Sequence, residues 1–235
     1  MQRTKGFTLI EIAIVLVIIG LLLGGVLKGQ ELITGARVRN LISQQDGIKA
    51  AFYGFQDRYR GLPGDYAAAS TNINCTGGCP DGNGNGRIEA TVPSQREDIY
   101  AWTHLTAAGF INGSYSALSG VSSQDTTNTP NNPYSQLVGL MYDGCYGNFA
   151  DCTSATSPQK HNLKTGSQVP SEILAEVDRK IDDGKPASGA FQFSPWVANG
   201  ASGGPVNTQC VLIVSSVAVW AITAPQTNCG GASLF

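Results

Sequence analysis

The chain has 235 residues and a net charge of −2, and only 14% of its residues are charged. It contains no basic block, so the composition shows no footprint for nucleic acid. Glycine is abundant, with 29 residues, and the downstream region is rich in Ser, Thr and Asn. This composition favours a secreted or surface-exposed domain over a cytosolic enzyme.

The N-terminal segment has a short basic leader followed by an apolar run from Phe7 to Leu27, in which Glu11 is the only ionisable side chain. As a helix, this run rises about 30 Å, the thickness of the hydrocarbon core of a bilayer. It is too long for a secretory signal peptide, and no small-residue cleavage site follows it. The small residue Gly6 instead precedes the run, which suggests cleavage on the cytoplasmic side. A carboxylate within such a helix is costly, so Glu11 is a candidate functional residue.

The segment Gly6-Phe7-Thr8-Leu9-Ile10-Glu11 resembles the processing site of type IV prepilins and type II secretion pseudopilins. The resemblance implies that a prepilin peptidase cuts after Gly6 and N-methylates Phe7. It also implies that Glu11 is the assembly residue, which pairs with the N-terminal amine of a neighbouring subunit. The implied partners are other pilin or pseudopilin subunits, the prepilin peptidase, an inner-membrane assembly platform and the membrane.

The spacing of Phe7 and Glu11 agrees with this interpretation. A cut before Phe7 creates a positive amine, and Glu11 lies four residues further on, on the same face of a helix. The carboxylate could be neutralised by the amine of its own chain or by that of a neighbour, and the sequence leaves both open. A third alternative is that Glu11 lies close enough to the interface to reach water.

Beyond the apolar run, one stripe of apolar residues recurs with helical period and predicts that the first helix continues to about Tyr59. The stripe consists of Val38, Leu41, Ile48, Phe52, Phe55 and Tyr59. The sequence therefore predicts a leader at 1–6, a helix at 7–60 with its membrane part at 7–27, and an exported head at 61–235. The expected fold class is α+β, with a long transmembrane-to-soluble helix packed on a small antiparallel sheet.

The six cysteines fall into three pairs that are local in sequence: Cys75 with Cys79, Cys145 with Cys152, and Cys210 with Cys229. An even number of cysteines in an exported domain favours disulfides, with local pairing as the hypothesis. A zinc site at the first pair would need a second pair of ligands nearby, and the chain has only two histidines.

The loop from Asp81 to Glu89 resembles the first nine positions of an EF-hand calcium loop. The candidate ligands are the side chains of Asp81, Asn83, Asn85 and Glu89 and the backbone carbonyl of Arg87. The bidentate glutamate expected at position twelve is replaced by Val92, so any Ca²⁺ site would be weak. The alternative is a turn rich in Asn and Gly that binds nothing.

The remaining patterns predict short elements of the head. A capping box at Ser94–Glu97 predicts a helix to about Ala108, and Ser171 is predicted to cap a helix that ends near Asp182. The predicted strands are 134–142, 191–193 and 211–222, the last of them central because its residues are nearly all apolar. The acidic residues Asp178, Asp182 and Asp183 are expected at a solvated helix end, with a second cation site as the alternative.

No catalytic motif is found, so the predicted function is structural. We expect a filament subunit of the type IV pilin kind, of a minor or specialised type. The alternatives are a type II secretion pseudopilin and a membrane-anchored binding module or enzyme whose helix is only a tether. The expected location is the inner membrane, with a single span and a periplasmic head, and then a pilus or pseudopilus, with the cell surface as an alternative.

Overall fold

The computed structural model describes residues 8–75, 77–91, 95–147, 152, 157–200 and 203–235. Its first element is helix α1, Leu9–Tyr59, which confirms the long helix predicted from the sequence. By compactness the chain divides into two units, one up to Arg37 and another from Val38 to Phe235, so the division falls within α1.

In the first unit, every described residue up to Lys28 is exposed. Leu9, Leu16 and Leu21 are among the exposed apolar side chains. By length and composition, this part of α1 is a candidate membrane span. An apolar surface on all sides of a helix is typical of a segment that lies in lipid or in a bundle of like helices.

The second unit, the head, contains a four-stranded antiparallel sheet with the strand order β3-β4-β8-β5. These strands are β3, Gly139–Asp143; β4, Lys160–Lys164; β5, Phe191–Phe193; and β8, Gly231–Leu234. Helix α2 is Ala69–Asn72, α3 is Glu97–Ala107, α4 is Ser171–Ile181 and α5 is Asn207–Cys210, with a 3₁₀ turn at Ala198–Gly200. The sheet and helices give the α+β architecture that the sequence predicts.

Two further ladders contain two strands each: β1, Ala90–Thr91, with β2, Gln95–Arg96, and β6, Val211–Val214, with β7, Val217–Trp220. The β6–β7 hairpin corrects the prediction of one central strand at 211–222. Both strands are apolar, but the chain reverses at Ser215-Ser216, where both residues have positive φ. A run of apolar residues does not reveal such a turn when it lacks the usual Asn-Gly signal.

The predicted stripe on α1 faces the core of the head. Ile48, Phe52 and Phe55 pack in a cluster with Trp102 and Leu140. Val38 and Leu41 pack in a second cluster with side chains of α4, β5 and the base of the β6–β7 hairpin. The polar interruption of the stripe, Gln45, is also fully buried.

The two predicted helices of the head are present, but their predicted N-caps are wrong. Helix α3 begins at Glu97 after Arg96, and Ser94 lies outside the described residues. Glu97 does not reach back to cap its own helix, because its carboxylate accepts hydrogen bonds from Asn83 and Glu89. At α4, Pro170 occupies the N-cap position, and Ser171 donates its hydroxyl to the carbonyl of Ala221.

Candidate functional site

The first turn of α1 is closed by a reciprocal pair of hydrogen bonds between Thr8 and Glu11. The backbone N–H of Glu11 donates to Thr8 Oγ1 over 3.4 Å, and the backbone N–H of Thr8 donates to Glu11 Oε2 over 2.8 Å. The Thr8 hydroxyl donates to the same Oε2 over 2.7 Å. This arrangement is a capping box, which satisfies N–H groups that a helix N-terminus would otherwise leave unpaired.

The capping box gives Glu11 a local role that the sequence analysis missed, although its signal, Thr-x-x-Glu, is present in the chain. Both contacts from Thr8 go to Oε2, and Oε1 accepts no hydrogen bond from a described residue. A carboxylate has about four acceptor sites, so Glu11 keeps an open oxygen at the helix end. Gly6 and Phe7, the predicted processing residues, lie outside the described residues.

The predicted calcium loop is held in place by two carboxylates from outside the loop. Asp65 accepts the backbone N–H groups of Asn85 and Gly86 at 2.9 and 2.8 Å. Glu97 accepts those of Asn83 and Glu89 at 2.9 and 3.1 Å. Glu97 is fully buried, and this burial raises its pKa, an effect that the two N–H donors oppose.

The predicted ligands within the loop make local contacts. Asp81 accepts hydrogen bonds from the N–H and the hydroxyl of Ser70. Asn83 Oδ1 accepts the N–H of Asn85, and Asn85 Oδ1 accepts the N–H of Arg87, as in two successive Asx turns.

In the described part of the chain, no three of the carboxylates in and around this loop converge on one centre. Asp81 would have to leave Ser70, and Asn83 and Asn85 their own turns, before these oxygens could surround an ion. The contacts are those of a polar turn fixed by buried acids. Calcium binding stays a prediction.

His104, one of the two histidines, connects three segments of the head. Its Nδ1 accepts the backbone N–H of Gly64 over 2.9 Å, which places the proton on Nε2, 2.8 Å from the carbonyl of Pro80. Burial lowers its pKa to about 4. His104 is therefore neutral and satisfied on both nitrogens.

The three local cysteine pairs are disulfides in the structure: Cys75–Cys79, Cys145–Cys152 and Cys210–Cys229. All six cysteines are thereby used. The third bond joins the residue before β6 to a residue near the start of β8.

The acidic end of α4 differs from the solvated helix end that the sequence predicts. Asp178 is fully buried and accepts the indole N–H of Trp220 over 2.7 Å. Burial raises the pKa of Asp178 to about 6. Ligand atoms of Asp178, Asp182 and Asp183 lie within 4.8 Å of one another. Each carboxylate also accepts a backbone N–H, which accounts for the cluster as a helix-end turn.

Comparison with known proteins identifies the N-terminal segment. Residues 1–27 match the family model described as the prokaryotic N-terminal methylation motif, which is the class III signal of type IV pilins and pseudopilins. This match confirms the resemblance noted in the sequence and points to a processed structural subunit.

The match covers the leader and the apolar part of α1 and does not reach the head. No curated protein and no solved structure matches the chain. The inference about the class of this protein therefore depends on its N-terminal residues, and the head is described from its own contacts alone.

Proposed function

We propose that the protein is a minor or specialised subunit of a type IV pilin-like filament, cut after Gly6 and N-methylated on Phe7. The observation that carries the proposal is the methylation motif at residues 1–27. The exposed apolar part of α1 supports it, because helices packed in a filament core or a bilayer need such a surface. In this proposal the head is exported to the periplasm.

Glu11 would act in assembly through its open oxygen. Thr8 holds Oε2 and so fixes the rotamer of the carboxylate at the start of the helix. Oε1 would then accept the methylated amine of a neighbouring subunit. Such a pair of buried charges sets the axial register of packed helices, because a shifted register leaves both charges unpaired.

Two substitutions at Glu11 separate its role in the capping box from its charge. Gln serves in a capping box as Glu does, but it carries no charge to pair with an amine. Glu11→Leu removes both functions. We expect both variants to be inserted and processed at Gly6, and both to be lost from filaments isolated from cells that also produce the unaltered subunits.

The measurement is the fraction of each variant in the filament, compared with its processed form in the membrane. Normal incorporation of Glu11→Leu would rule out an assembly role for Glu11. Normal incorporation of Glu11→Gln together with loss of Glu11→Leu would reduce that role to helix capping. Thr8→Val is the matched control, since it disturbs the cap and keeps the charge of Glu11. If assembly depends on that charge, this variant should be incorporated better than Glu11→Leu.

The second candidate is a pseudopilin of a type II secretion machine, because the methylation motif serves both classes. Deleting the gene and measuring secreted proteins and surface filaments would separate the two. Loss of filaments with normal secretion supports the pilus, and the reverse result supports the secretion machine.

A further inference from the structure

A cavity of about 460 Å³ lies beside strand β3 in the head. Met141 lines this cavity, while its neighbour Leu140 packs in the cluster that contains Phe55 of α1. Successive residues of a strand face opposite sides of a sheet, so the cavity is on the side of β3 away from α1. Its volume falls in the range of roughly 300–1,000 Å³ that is typical of small-molecule sites. We call it the Trp196 cavity, and its lining includes Arg96, Asp98, Gln124, Met141, Trp196 and Asn199.

Trp196 gives the cavity a partly exposed aromatic ring. The other two tryptophans of the chain, Trp102 and Trp220, are buried in the core of the head. Trp196 is placed by Gly139 of β3, because a Cβ at Gly139 would lie 2.8 Å from two carbons of the indole and would displace it. The missing side chain at Gly139 therefore lets the indole lie against the strand, where it forms an apolar surface together with Met141.

The polar wall of the cavity contains a buried ion pair. Arg96 Nε and Nη2 donate to the two carboxylate oxygens of Asp98 over 2.8 and 2.7 Å. Arg96 Nη1 donates to the carbonyl of Ser122. A guanidinium has five N–H groups, so two of those of Arg96 have no partner among the described residues.

Gln124 is held in one orientation beside this ion pair. Its Nε2 donates to Asp98 Oδ2 over 3.1 Å. Because a carboxylate only accepts hydrogen bonds, the amide cannot be reversed without losing this contact. The backbone N–H and C=O of Gln124 also form hydrogen bonds of 2.7 and 2.8 Å with the side chain of Asn199. The position of the Gln124 side chain is thus fixed from both ends.

These contacts leave Gln124 Oε1 as an unpaired acceptor. Gln124 is 4% exposed, and its Oε1 accepts no hydrogen bond from a described residue. Buried polar atoms are nearly always paired, either with protein or with an ordered water. A ligand hydroxyl can take the place of such a water when it reproduces the same hydrogen bonds. The cavity therefore combines an unpaired acceptor on Gln124 with unused N–H donors on Arg96.

The charged groups around the cavity are already paired within the protein. Asp98 pairs with Arg96, and Asp143, which also lines the cavity, lies 2.9 Å from Lys164 Nζ. An anion would meet the two carboxylates, and a cation would meet the guanidinium. Among the described residues, no three acidic side chains converge here. A neutral ligand is therefore favoured, and it must be polar, because an apolar ligand would leave Gln124 Oε1 unpaired.

We propose that the Trp196 cavity binds a neutral sugar through one hexose ring. Arg96 and Gln124 both contact Asp98 Oδ2, so the unused donors and the unpaired acceptor belong to neighbouring side chains. A sugar hydroxyl donates and accepts through one oxygen, which suits this combination. The C–H groups on the face of the ring pack on the indole of Trp196, whose face carries partial negative charge.

Tryptophan fluorescence of the full chain measures binding, because Trp196 is the only partly exposed tryptophan of the three. The chain is kept in a zwitterionic detergent, since glucoside and maltoside detergents would compete for a sugar site. The probes are glucose, galactose, mannose and N-acetylglucosamine, with sorbitol as an open-chain control that has hydroxyl groups but no ring. We expect a saturable change with at least one of the four sugars at a Kd of about 1 mM, and none with sorbitol.

Two substitutions locate the binding in the cavity. Gln124→Leu removes the unpaired acceptor with little change in volume and should weaken binding at least about tenfold. Ala90→Phe, at an exposed residue that also lines the cavity, should block it. The matched controls are Gln56→Leu and Ala67→Phe, which make the same changes at exposed residues of a separate cavity beside Tyr66. Both controls should leave the Kd within about twofold of that of the unaltered chain.

The source of the sugar is distinguished with methyl glycosides, in which the anomeric oxygen is blocked as it is in a glycan. A methyl glycoside that binds as tightly as its free sugar would identify the end of a glycan as the ligand. Loss of binding by the methyl glycoside would identify the free sugar.

Absence of a saturable response to all four sugars would overturn the proposal, and so would equal affinities in the cavity variants and their controls. An equal response to sorbitol would exclude recognition of a sugar ring. A response to a blocked Gly-Gly dipeptide, without a response to any sugar, would assign the cavity to a peptide instead. Ala90→Phe decides the location if Gln124→Leu fails to retain the three native disulfides. None of these measurements requires a filament, so their outcome is independent of the proposed function.

Discussion

Two stretches of helix α1 have the same secondary structure and opposite burial. From residue 8 to residue 28 every side chain is exposed, including a continuous series of apolar ones. From Val38 onwards the helix buries one stripe in the core of the head. The difference shows that the distribution of apolar residues around a helix, rather than helix propensity, indicates which surroundings a segment requires. The first stretch needs lipid or like helices, and the second needs a folded domain.

The largest effect is expected when one apolar side chain is truncated in each stretch, which tests the difference in burial between them. Phe55→Ala should lower the free energy of unfolding of the head by about 4 kcal/mol, because Phe55 is fully buried. Leu16→Ala should leave it unchanged, since Leu16 is 64% exposed. Chemical denaturation of the full chain in detergent, followed by tryptophan fluorescence, measures both. Equal losses would contradict the assignment of the two stretches.

Removal of the third disulfide should affect the head alone, and so it tests whether the head and the membrane part of α1 are stabilised separately. Cys210 and Cys229 are separated by 19 residues, and opening a loop of this length costs about 3 kcal/mol in chain entropy. Cys210→Ser with Cys229→Ser should therefore lower the stability of the head and leave membrane insertion unchanged. The matching double substitution at Cys75 and Cys79, which are separated by four residues, should cost less. The reverse order would show that loop length does not determine these losses.

Asp65→Asn should destabilise the head by about 2 kcal/mol, because an amide can accept from only one of the two N–H groups that Asp65 now satisfies. Asp81→Asn, in the same region but exposed, is the control and should cost less. Thermal unfolding of both variants with and without millimolar calcium extends the test to the calcium hypothesis. A rise in melting temperature that requires Asp81 would show that the loop rearranges around an ion.

Removal of Asp178 should make the stability of the head depend more steeply on pH. The pKa of Asp178 is raised from 3.8 to about 6, so the folded state binds its proton more tightly and stability falls as pH rises from about 4 to 6. The pKa of His104 is lowered from 6.5 to about 4, so its contribution to stability rises with pH over nearly the same range.

In the unaltered chain these two contributions oppose each other. Asp178→Asn should therefore make stability increase more steeply with pH between 4 and 6.5, by at most about 1.4 kcal/mol per pH unit. Denaturant titrations at a series of pH values measure the slope, and a slope equal to that of the unaltered chain would contradict the buried state of Asp178.

The parts of the fold that could be predicted from the sequence were those signalled by helical periodicity and by the spacing of cysteines. The stripe from Val38 to Phe55 placed α1 against a core, and the spacing of the cysteines gave the three disulfides. These features depend on residues near one another in the chain, so a single sequence contains them. The resemblance at Gly6–Glu11 similarly needs only adjacent residues.

The features that the sequence did not reveal depend on distant partners. Glu97 matches a capping pattern, but its carboxylate instead accepts the N–H of Asn83, 14 residues upstream, and so fixes the loop. Asp178 resembles a solvated acid in the sequence, but Trp220, 42 residues away, donates a hydrogen bond to it in the buried interior. In the β6–β7 hairpin, the apolar run was recognised, but the turn at Ser215-Ser216 was not.

The central claim is that the N-terminal stretch of α1 is made for assembly after processing, and the mass of the mature N-terminus tests it most directly. The protein should be purified from membranes of its own cell, digested and examined by mass spectrometry. The account predicts an N-terminal peptide that begins at Phe7 and carries one additional methyl group. An intact Met1 end, or a cut near Lys28 that releases the head from its apolar helix, would contradict it.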